Sequence, residues 1–196
     1  GHLDAFTAKE CASYYVKVLD EHLPRAVDVL SDLLLNPAFA DEDICREQNV
    51  VVEEIKMVED TPDDLVYEMF TASFWPEHQL GKPILGTVES VRGFDAGALR
   101  TYFSGAYTAQ NLVIAAAGNI DHAAISELVG NAFSALPVSN QSVETTAPTV
   151  STQLVIREKD LEQAHLCLGT RGYEHTHPDR HASYILNAVL GGSMSS

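Results

Sequence analysis

The sequence predicts an α+β fold, an antiparallel-rich sheet covered by helices, arranged as one unit followed by the start of a second homologous unit. The first observation is a pair of strand-like segments near the N-terminus. Residues 3–7 alternate between apolar and polar side chains, and residues 12–19 are rich in Tyr and Val. Because only a short link joins the two segments, we expect them to pair as antiparallel neighbours.

The second observation is that the order of elements starts again after a polar stretch. Residues 137–150 are rich in Ser, Thr and Pro and contain no Lys or Arg, a composition typical of a solvated linker. Strand-like segments and then a helix follow, as they do at the start of the chain. We therefore predict a first unit at residues 1–136, a linker at 137–150 and the start of a second unit at 151–196.

Helical periodicity predicts most of the remaining elements. Apolar residues recur every three or four positions in six segments, most of them bounded by Pro, Gly or a polar capping residue. The predicted helices are 23–35, 41–60, 64–75, 96–106, 122–135 and 178–190. The predicted N-caps are Asp41 or Asp43, Thr61, Asp95 and Asp121. The apolar run 112–117 predicts a strand buried on both faces, and two further strands are predicted at 153–158 and 165–169.

The longest predicted helix carries the candidate site. Glu47 and Glu54 are seven positions apart, so in a helix both carboxylates share a face, about 10 Å apart along the axis. Val51, Ile55 and Val58 form its apolar face. A helix that buries one side and directs two carboxylates the same way suits a metal ligand and a supporting residue. The alternative is that both are solvated charges on a surface helix.

Composition excludes several classes of partner. The 196 residues carry a net charge of −16, which argues against nucleic acid and anionic membrane surfaces because their phosphates would repel the chain. No run of 18 apolar residues is present, so no membrane span is predicted. The three cysteines, Cys11, Cys45 and Cys167, lie far apart in the sequence. We predict free, buried thiols rather than a disulfide framework, although Cys11 beside a basic partner would be a nucleophile.

Other candidate constellations are weaker. His175, His177 and His181 have spacings of two and four, which fits either a metal site or an exposed polar loop, and the loop is the commoner case. His165 lies in a strand-like run and is interpreted as a packed or edge histidine. The sequence has no glycine-rich phosphate loop before a helix and no Gly-x-Ser-x-Gly elbow.

Five segments resemble a known family in their order along the chain. They are residues 1–10 (GHLDAFTAKE) followed by Tyr14 and Tyr15, 46–55 (REQNVVVEEI), 80–86 (LGKPILG), 161–166 (LEQAHL) and 191–196 (GGSMSS). These segments resemble the pitrilysin/insulinase family of zinc metallopeptidases, and within it the mitochondrial processing peptidase group and its bacterial relatives. The fold that this resemblance implies is that of LuxS-like and processing-peptidase-like metalloenzymes, with residues 1–136 as the C-terminal portion of the first unit.

The resemblance implies a zinc-dependent mechanism. Family members carry His-x-x-Glu-His on a helix, where two His bind zinc and the Glu is the general base. A Glu from a following helix is the third ligand, and a water molecule fills the fourth position. The third-ligand position falls on Glu54, and the supporting carboxylate that orients a histidine ligand falls on Glu47.

The resemblance also implies a peptide-binding strand. Leu3, Asp4, Ala5, Phe6 and Thr7 match the edge strand with which a substrate peptide pairs. At Asp4 the family usually has Asn, so this chain adds a negative charge beside the site.

The main departure from the family pattern is that His-x-x-Glu-His is absent from the 196 residues. In the family this motif lies upstream of the matched region, so we expect a fragment that contains no catalytic base and only one metal ligand. The isolated chain is therefore expected neither to hold zinc tightly nor to cleave peptides. The alternative is a non-catalytic scaffold or substrate-binding subunit of the same family. A plain acidic interaction domain is a third reading, and a homo- or hetero-dimer with a related subunit is a possible assembly.

Overall fold

A computed structural model describes residues 1–138 and 146–192 of the chain. The middle of the predicted linker, residues 139–145, and residues 193–196 of the last resembling segment lie outside the described residues. The described residues form a mixed, helix-rich fold with a small antiparallel sheet. No helix in the described part of the chain has the length and apolar character needed to cross a membrane.

The sheet is the predicted hairpin. Strand β1 (His2–Thr7) pairs in antiparallel register with β2 (Ala12–Lys17), so that Asp4 faces Tyr15 and Ala5 faces Tyr14. The N–H of Ala8 donates to the carbonyl of Cys11 at 2.7 Å and closes the link between the strands. The short link therefore fixed the pairing, as expected.

Seven α-helices are described. They are α1 (Leu23–Leu35), α2 (Asp41–Asp60), α3 (Pro62–Phe74), α4 (Val88–Arg92), α5 (Ala96–Ala106), α6 (His122–Ala132) and α7 (Arg180–Gly191). All six predicted helices are confirmed within a few residues, and α4 is additional. A capping box between Thr87 and Ser90 starts α4.

The predicted caps are confirmed in part. Asp95 accepts from the N–H of Ala98 at 2.7 Å, and Asp121 caps α6 in the same way. The prediction for Asp41 or Asp43 is wrong because both lie inside the first turn of α2, where negative charge favours the helix dipole. Thr61 occupies the N-cap position of α3, but its hydroxyl donates to the carbonyl of Met57 instead.

The packing forms two groups within the first 136 residues. Helix α1 packs against α6 and β2, and α2 packs against α3 and α4. The buried apolar side chains of the described residues are Ala26, Val27, Leu34, Val52, Val91 and Ile125. All of them belong to α1, α2, α4 or α6.

The three later strands are not observed. Residues 112–117, 153–158 and 165–169 have no strand structure, and Val113 is 91% exposed. The predicted buried strand at 112–117 is wrong for this chain because a strand forms only where a second strand accepts its hydrogen bonds. Among the described residues, only β1 and β2 form such a ladder.

The three cysteines are free thiols, as predicted, but the prediction that they are buried is wrong. All three thiols are free, but Cys11 and Cys45 are exposed and Cys167 is half-buried. Cys11 lies in the link before β2, and Cys45 lies on the solvent side of α2, so neither position reaches a core.

Candidate functional site

Helix α2 presents the two predicted carboxylates on one face. The helix is continuous from Asp41 to Asp60, so Glu47 and Glu54 lie two turns apart, about 10 Å along the axis. Both residues are exposed, and within residues 1–138 and 146–192 neither side-chain carboxylate forms a hydrogen bond or an ion pair. The neighbouring Glu53 differs, because its carboxylate binds the ammonium of Lys56 at 2.7 Å. Glu47 and Glu54 are therefore free to accept a ligand.

The same face also carries exposed apolar side chains. Val50 follows Glu47 by three positions and Met57 follows Glu54 by three, and residues at this spacing are neighbours on a helix surface. Val50 is 46% exposed and Met57 is 67% exposed. Val50 and Met57 therefore add apolar surface beside the two carboxylates.

The opposite side of α2 fixes the rotation of the helix. Val52 is buried at 4% exposure. The side-chain amide of Gln48 donates to the carbonyls of Val91 at 3.0 Å and Phe94 at 2.8 Å, which ties α2 to α4. The sequence analysis missed this role of Gln48. The sequence pattern that could have revealed this role is a polar residue four positions before Val52, on the same, buried side of the helix.

Strand β1 lies at an exposed edge of the sheet. All six of its residues are exposed, including Leu3, Ala5 and Thr7, and its ladder partner is β2. The loop after β1 reaches α3, because the ammonium of Lys9 lies 3.9 Å from the carboxylate of Glu68 and also donates to the carbonyl of Lys82. Since α3 packs against α2, this contact connects the edge strand to the helix that carries Glu54.

Asp4 is held by its own strand and by the next. One carboxylate oxygen accepts from the N–H of Ala5 at 2.8 Å, and the other accepts from the Tyr15 hydroxyl at 2.9 Å. The hydrogen bond from Tyr15, followed by that from Ala5, lowers the pKa of the Asp4 carboxyl below its usual value, and His2 at 3.7 Å adds to this. Asp4 is therefore a fixed negative charge on β1.

The histidines near the C-terminus do not come together. His177 stacks on Tyr173 with ring centroids 4.0 Å apart, and His181 lies against Tyr184, while His175 is exposed. The described part of the chain contains no group of three or more His, Cys, Asp or Glu side chains that fits a metal ion. His175 and His177 lie in the irregular segment before α7, whereas His181 lies in the first turn of α7.

His165 has a partner that the sequence did not reveal. One ring nitrogen lies 2.7 Å from the carboxylate of Asp63, in the first turn of α3. Lys159 also donates to the carbonyl of Glu59 at 2.8 Å, near the end of α2. These contacts join the segment after the linker to α2 and α3, and no spacing rule predicts contacts across 100 residues.

The resemblance places one predicted zinc ligand, Glu54, in this chain. A structural or catalytic zinc ion takes three or four protein ligands, and Glu47 lies about 10 Å from Glu54 along the axis of α2. The described residues alone do not form a complete zinc centre.

Comparison with known protein families gives two adjacent matches. Residues 1–88 match the insulinase family, peptidase family M16, and residues 93–196 match the peptidase M16 inactive domain. The uncharacterized zinc protease YmxG of Bacillus subtilis is 43% identical over 196 residues, which cover 100% of this chain and 48% of YmxG. An uncharacterized zinc protease of Streptomyces coelicolor is 38% identical over 205 residues, 100% of this chain and 44% of the relative. The chain thus spans about half the length of the curated relatives that it matches.

Solved structures support the fold. A protease from Helicobacter pylori superposes with a TM-score of 0.70 at 16% identity, over 76% of this chain and 37% of that one. A peptidase M16 inactive domain from Pseudomonas fluorescens gives 0.68 at 18% identity, over 76% and 36%.

Proposed function

Because the chain belongs to the M16 peptidase family, we propose that it supplies the third metal ligand, Glu54, of a zinc metalloendopeptidase that hydrolyses extended or unfolded peptides. The observation that carries this proposal is the unpaired, exposed carboxylate of Glu54 on the continuous helix α2. With the remaining ligands supplied by another part of the parent protein, Glu54 would help to hold a zinc ion, which would supply Lewis-acid chemistry for peptide hydrolysis. Glu47, two turns earlier, would orient a histidine ligand through a hydrogen bond.

The apolar part of the α2 face supports this proposal. Exposed Val50 and Met57 would pack against the helix that carries His-x-x-Glu-His, while Glu47 and Glu54 reach its histidines. Full burial of an exposed side chain of this kind contributes about 1.5–3 kcal/mol, so Val50 and Met57, which are already partly buried, would each contribute less. The unpaired carboxylates would then acquire partners at the same time.

We also propose that β1 binds the peptide substrate. An exposed edge strand presents unpaired N–H and C=O groups, and an extended peptide satisfies them by adding a strand. Leu3, Asp4, Ala5, Phe6 and Thr7 would form this binding edge. Peptide pairing at β1 would deliver the scissile bond in an extended form, the geometry that an unfolded substrate adopts most readily.

The wider architecture is part of the proposal. We propose a LuxS-like and processing-peptidase-like arrangement in which residues 1–136 belong to the first unit, residues 137–150 form the linker and residues 151–196 start the second unit. The contacts of Lys159 and His165 with α2 and α3 are consistent with a second unit that rests on the first. A homo- or hetero-dimer with a related subunit would follow the same plan.

The second candidate function is a non-catalytic scaffold or substrate-binding subunit. One observation favours it, namely that residues 93–196 match a domain described as inactive. Such a subunit would bind peptide at β1 without a complete zinc site. Glu47 and Glu54 favour the peptidase, because a scaffold requires neither.

A chimera tests the proposal. This chain would replace the matching half of YmxG, so that the other half supplies any histidine ligands. We expect one zinc per chain by elemental analysis and cleavage of an unfolded peptide. Glu54→Gln should lose both zinc and cleavage because a ligand is removed, and Glu47→Gln should lower zinc affinity by about 10- to 100-fold.

Glu53→Gln is the matched control, since Glu53 is adjacent, exposed and paired only with Lys56. It should keep zinc and activity. A folded chimera that binds peptide but lacks zinc supports the scaffold. Glu54→Gln with full zinc and activity rules out the assigned ligand.

A further inference from the structure

The free edge of β1 carries a single fixed charge. β1 contains one acidic residue, Asp4, and no Lys or Arg. Within the described residues its ladder runs to β2, so its other edge has no strand partner. If β1 binds peptides, as the proposed function requires, Asp4 lies beside whichever peptide residue pairs opposite it.

Hydrogen bonds hold the Asp4 carboxylate in place while leaving it accessible. The Ala5 N–H and the Tyr15 hydroxyl each occupy one of its two oxygens. A carboxylate oxygen accepts two hydrogen bonds, so each oxygen keeps a free acceptor site. The side chain is still 52% exposed. This carboxylate is therefore prepared to accept a donor from a second molecule without first being ordered.

We propose that Asp4 selects peptides with Lys or Arg at the position that pairs opposite it on β1. Side chains directly opposite on neighbouring antiparallel strands have Cβ atoms about 4.5–5.5 Å apart, which brings a basic side chain to the carboxylate. An opposite-charge pair stabilises the added strand, and a Glu at that position is repelled. Charge at Asp4 thus discriminates between substrates at one defined position.

Two basic side chains lie near Asp4 on the sheet. His2 lies 3.7 Å from Asp4 on the same strand, and Lys17 faces His2 from β2. Strand β2, which contains Lys17, lies on the side of β1 opposite to its free edge. The net charge of −16 attracts basic peptides over longer distances, so the test must separate this general attraction from the contact at Asp4.

The test uses the 196-residue chain and three extended octapeptides that differ only at one central position, Lys, Gln or Glu. Binding is followed by chemical-shift changes of the β1 amides. We expect the Lys peptide to bind up to about fivefold more tightly than the Gln peptide, and the Glu peptide less tightly than both. Asp4→Asn should reduce these differences to the part that the general attraction of the chain's net charge supplies, while the Gln peptide still binds. In about 1 M salt, where the Debye length is near 3 Å, the wild-type preference should shrink.

Asp20→Asn is the matched control. Asp20 is also held by hydrogen bonds, from Asn119 and the Glu21 N–H, and its removal changes the net charge by the same amount. It should keep the Lys preference. An equal preference in wild type and Asp4→Asn overturns the inference alone. Peptides that leave every β1 amide unshifted overturn the proposed peptide edge, and the inference with it.

Discussion

The first 138 residues and residues 146–192 differ in what their helices bury. In the first region α1, α2, α4 and α6 each place apolar side chains in the interior and α5 buries no residue, whereas α7, the helix described in the second region, buries none of its residues. In α7, Ile185, Val189 and Leu190 are between 64% and 75% exposed. Both regions have helical periodicity, so periodicity alone does not create a core. Burial requires a second element that faces the apolar stripe.

The exposed stripe of α7 has the character of a contact surface. Its apolar residues recur at helical spacing, and Leu166 and Leu168 of the same region are exposed as well. The first region is therefore expected to determine the stability of this chain, while the second contributes surface. Substitutions at matched positions in the two regions test this difference.

The largest expected difference concerns leucines. Leu34→Ala truncates a buried side chain of α1, and it should lower the free energy of unfolding by about 2–3 kcal/mol. Leu190→Ala in α7 should change it by no more than about 0.5 kcal/mol, because that side chain is 75% exposed. Urea denaturation of the two variants measures both values. Equal losses would mean that α7 is packed in solution.

The next difference concerns helix caps. Asp121 accepts from the N–H of Ala124 at 2.9 Å, so Asp121→Ala should cost about 1 kcal/mol. Asp179 occupies the same position before α7 but makes no side-chain capping bond, so Asp179→Ala should be close to neutral. Thermal unfolding by circular dichroism compares them. A larger cost at Asp179 would show that α7 depends on its N-terminus more than α6 does.

The smallest expected effect on stability is at the exposed β1–β2 hairpin of the first region. The folded-state pKa of Asp4 is lowered, so its stabilising contribution is present above the ordinary carboxyl pKa and is lost as pH falls through the folded-state value. Tyr15→Phe removes the largest cause and should move the pKa of Asp4 back upward. Tyr67→Phe, at an exposed tyrosine of α3, should leave it unchanged. A carboxyl-detected NMR titration follows Asp4, and an unmoved midpoint in Tyr15→Phe would show that the hydroxyl does not hold it.

Local features of this fold were predictable from the sequence. The short link predicted the β1–β2 hairpin, and helical spacing with Pro and Asp boundaries predicted six helices, including α2. The shared face of Glu47 and Glu54 followed from α2 alone, because it depends only on helix geometry. Family membership rested on five ordered segments and is confirmed by the comparisons.

Features that depend on distant partners were not predictable in the same way. The apolar run 112–117 has the composition of a strand, but strand structure requires a neighbour that its own sequence does not specify. The prediction that Cys45 is buried was wrong for a related reason. Contacts such as those of Gln48 with α4 decide which side of α2 is buried. The hydrogen bond between Tyr15 and Asp4 could have been predicted, because a four-residue link between the strands sets the register that places these residues opposite each other.

The coordination of Glu54 is the most direct test of the account. A crystal structure of the zinc-loaded YmxG chimera, with zinc located by anomalous scattering, would measure it. We predict a Glu54 carboxylate oxygen about 2.0–2.2 Å from the zinc ion, with Glu47 hydrogen-bonded to a histidine ligand. A zinc ion whose ligands exclude Glu54, with that side chain still directed into solvent, would contradict the account.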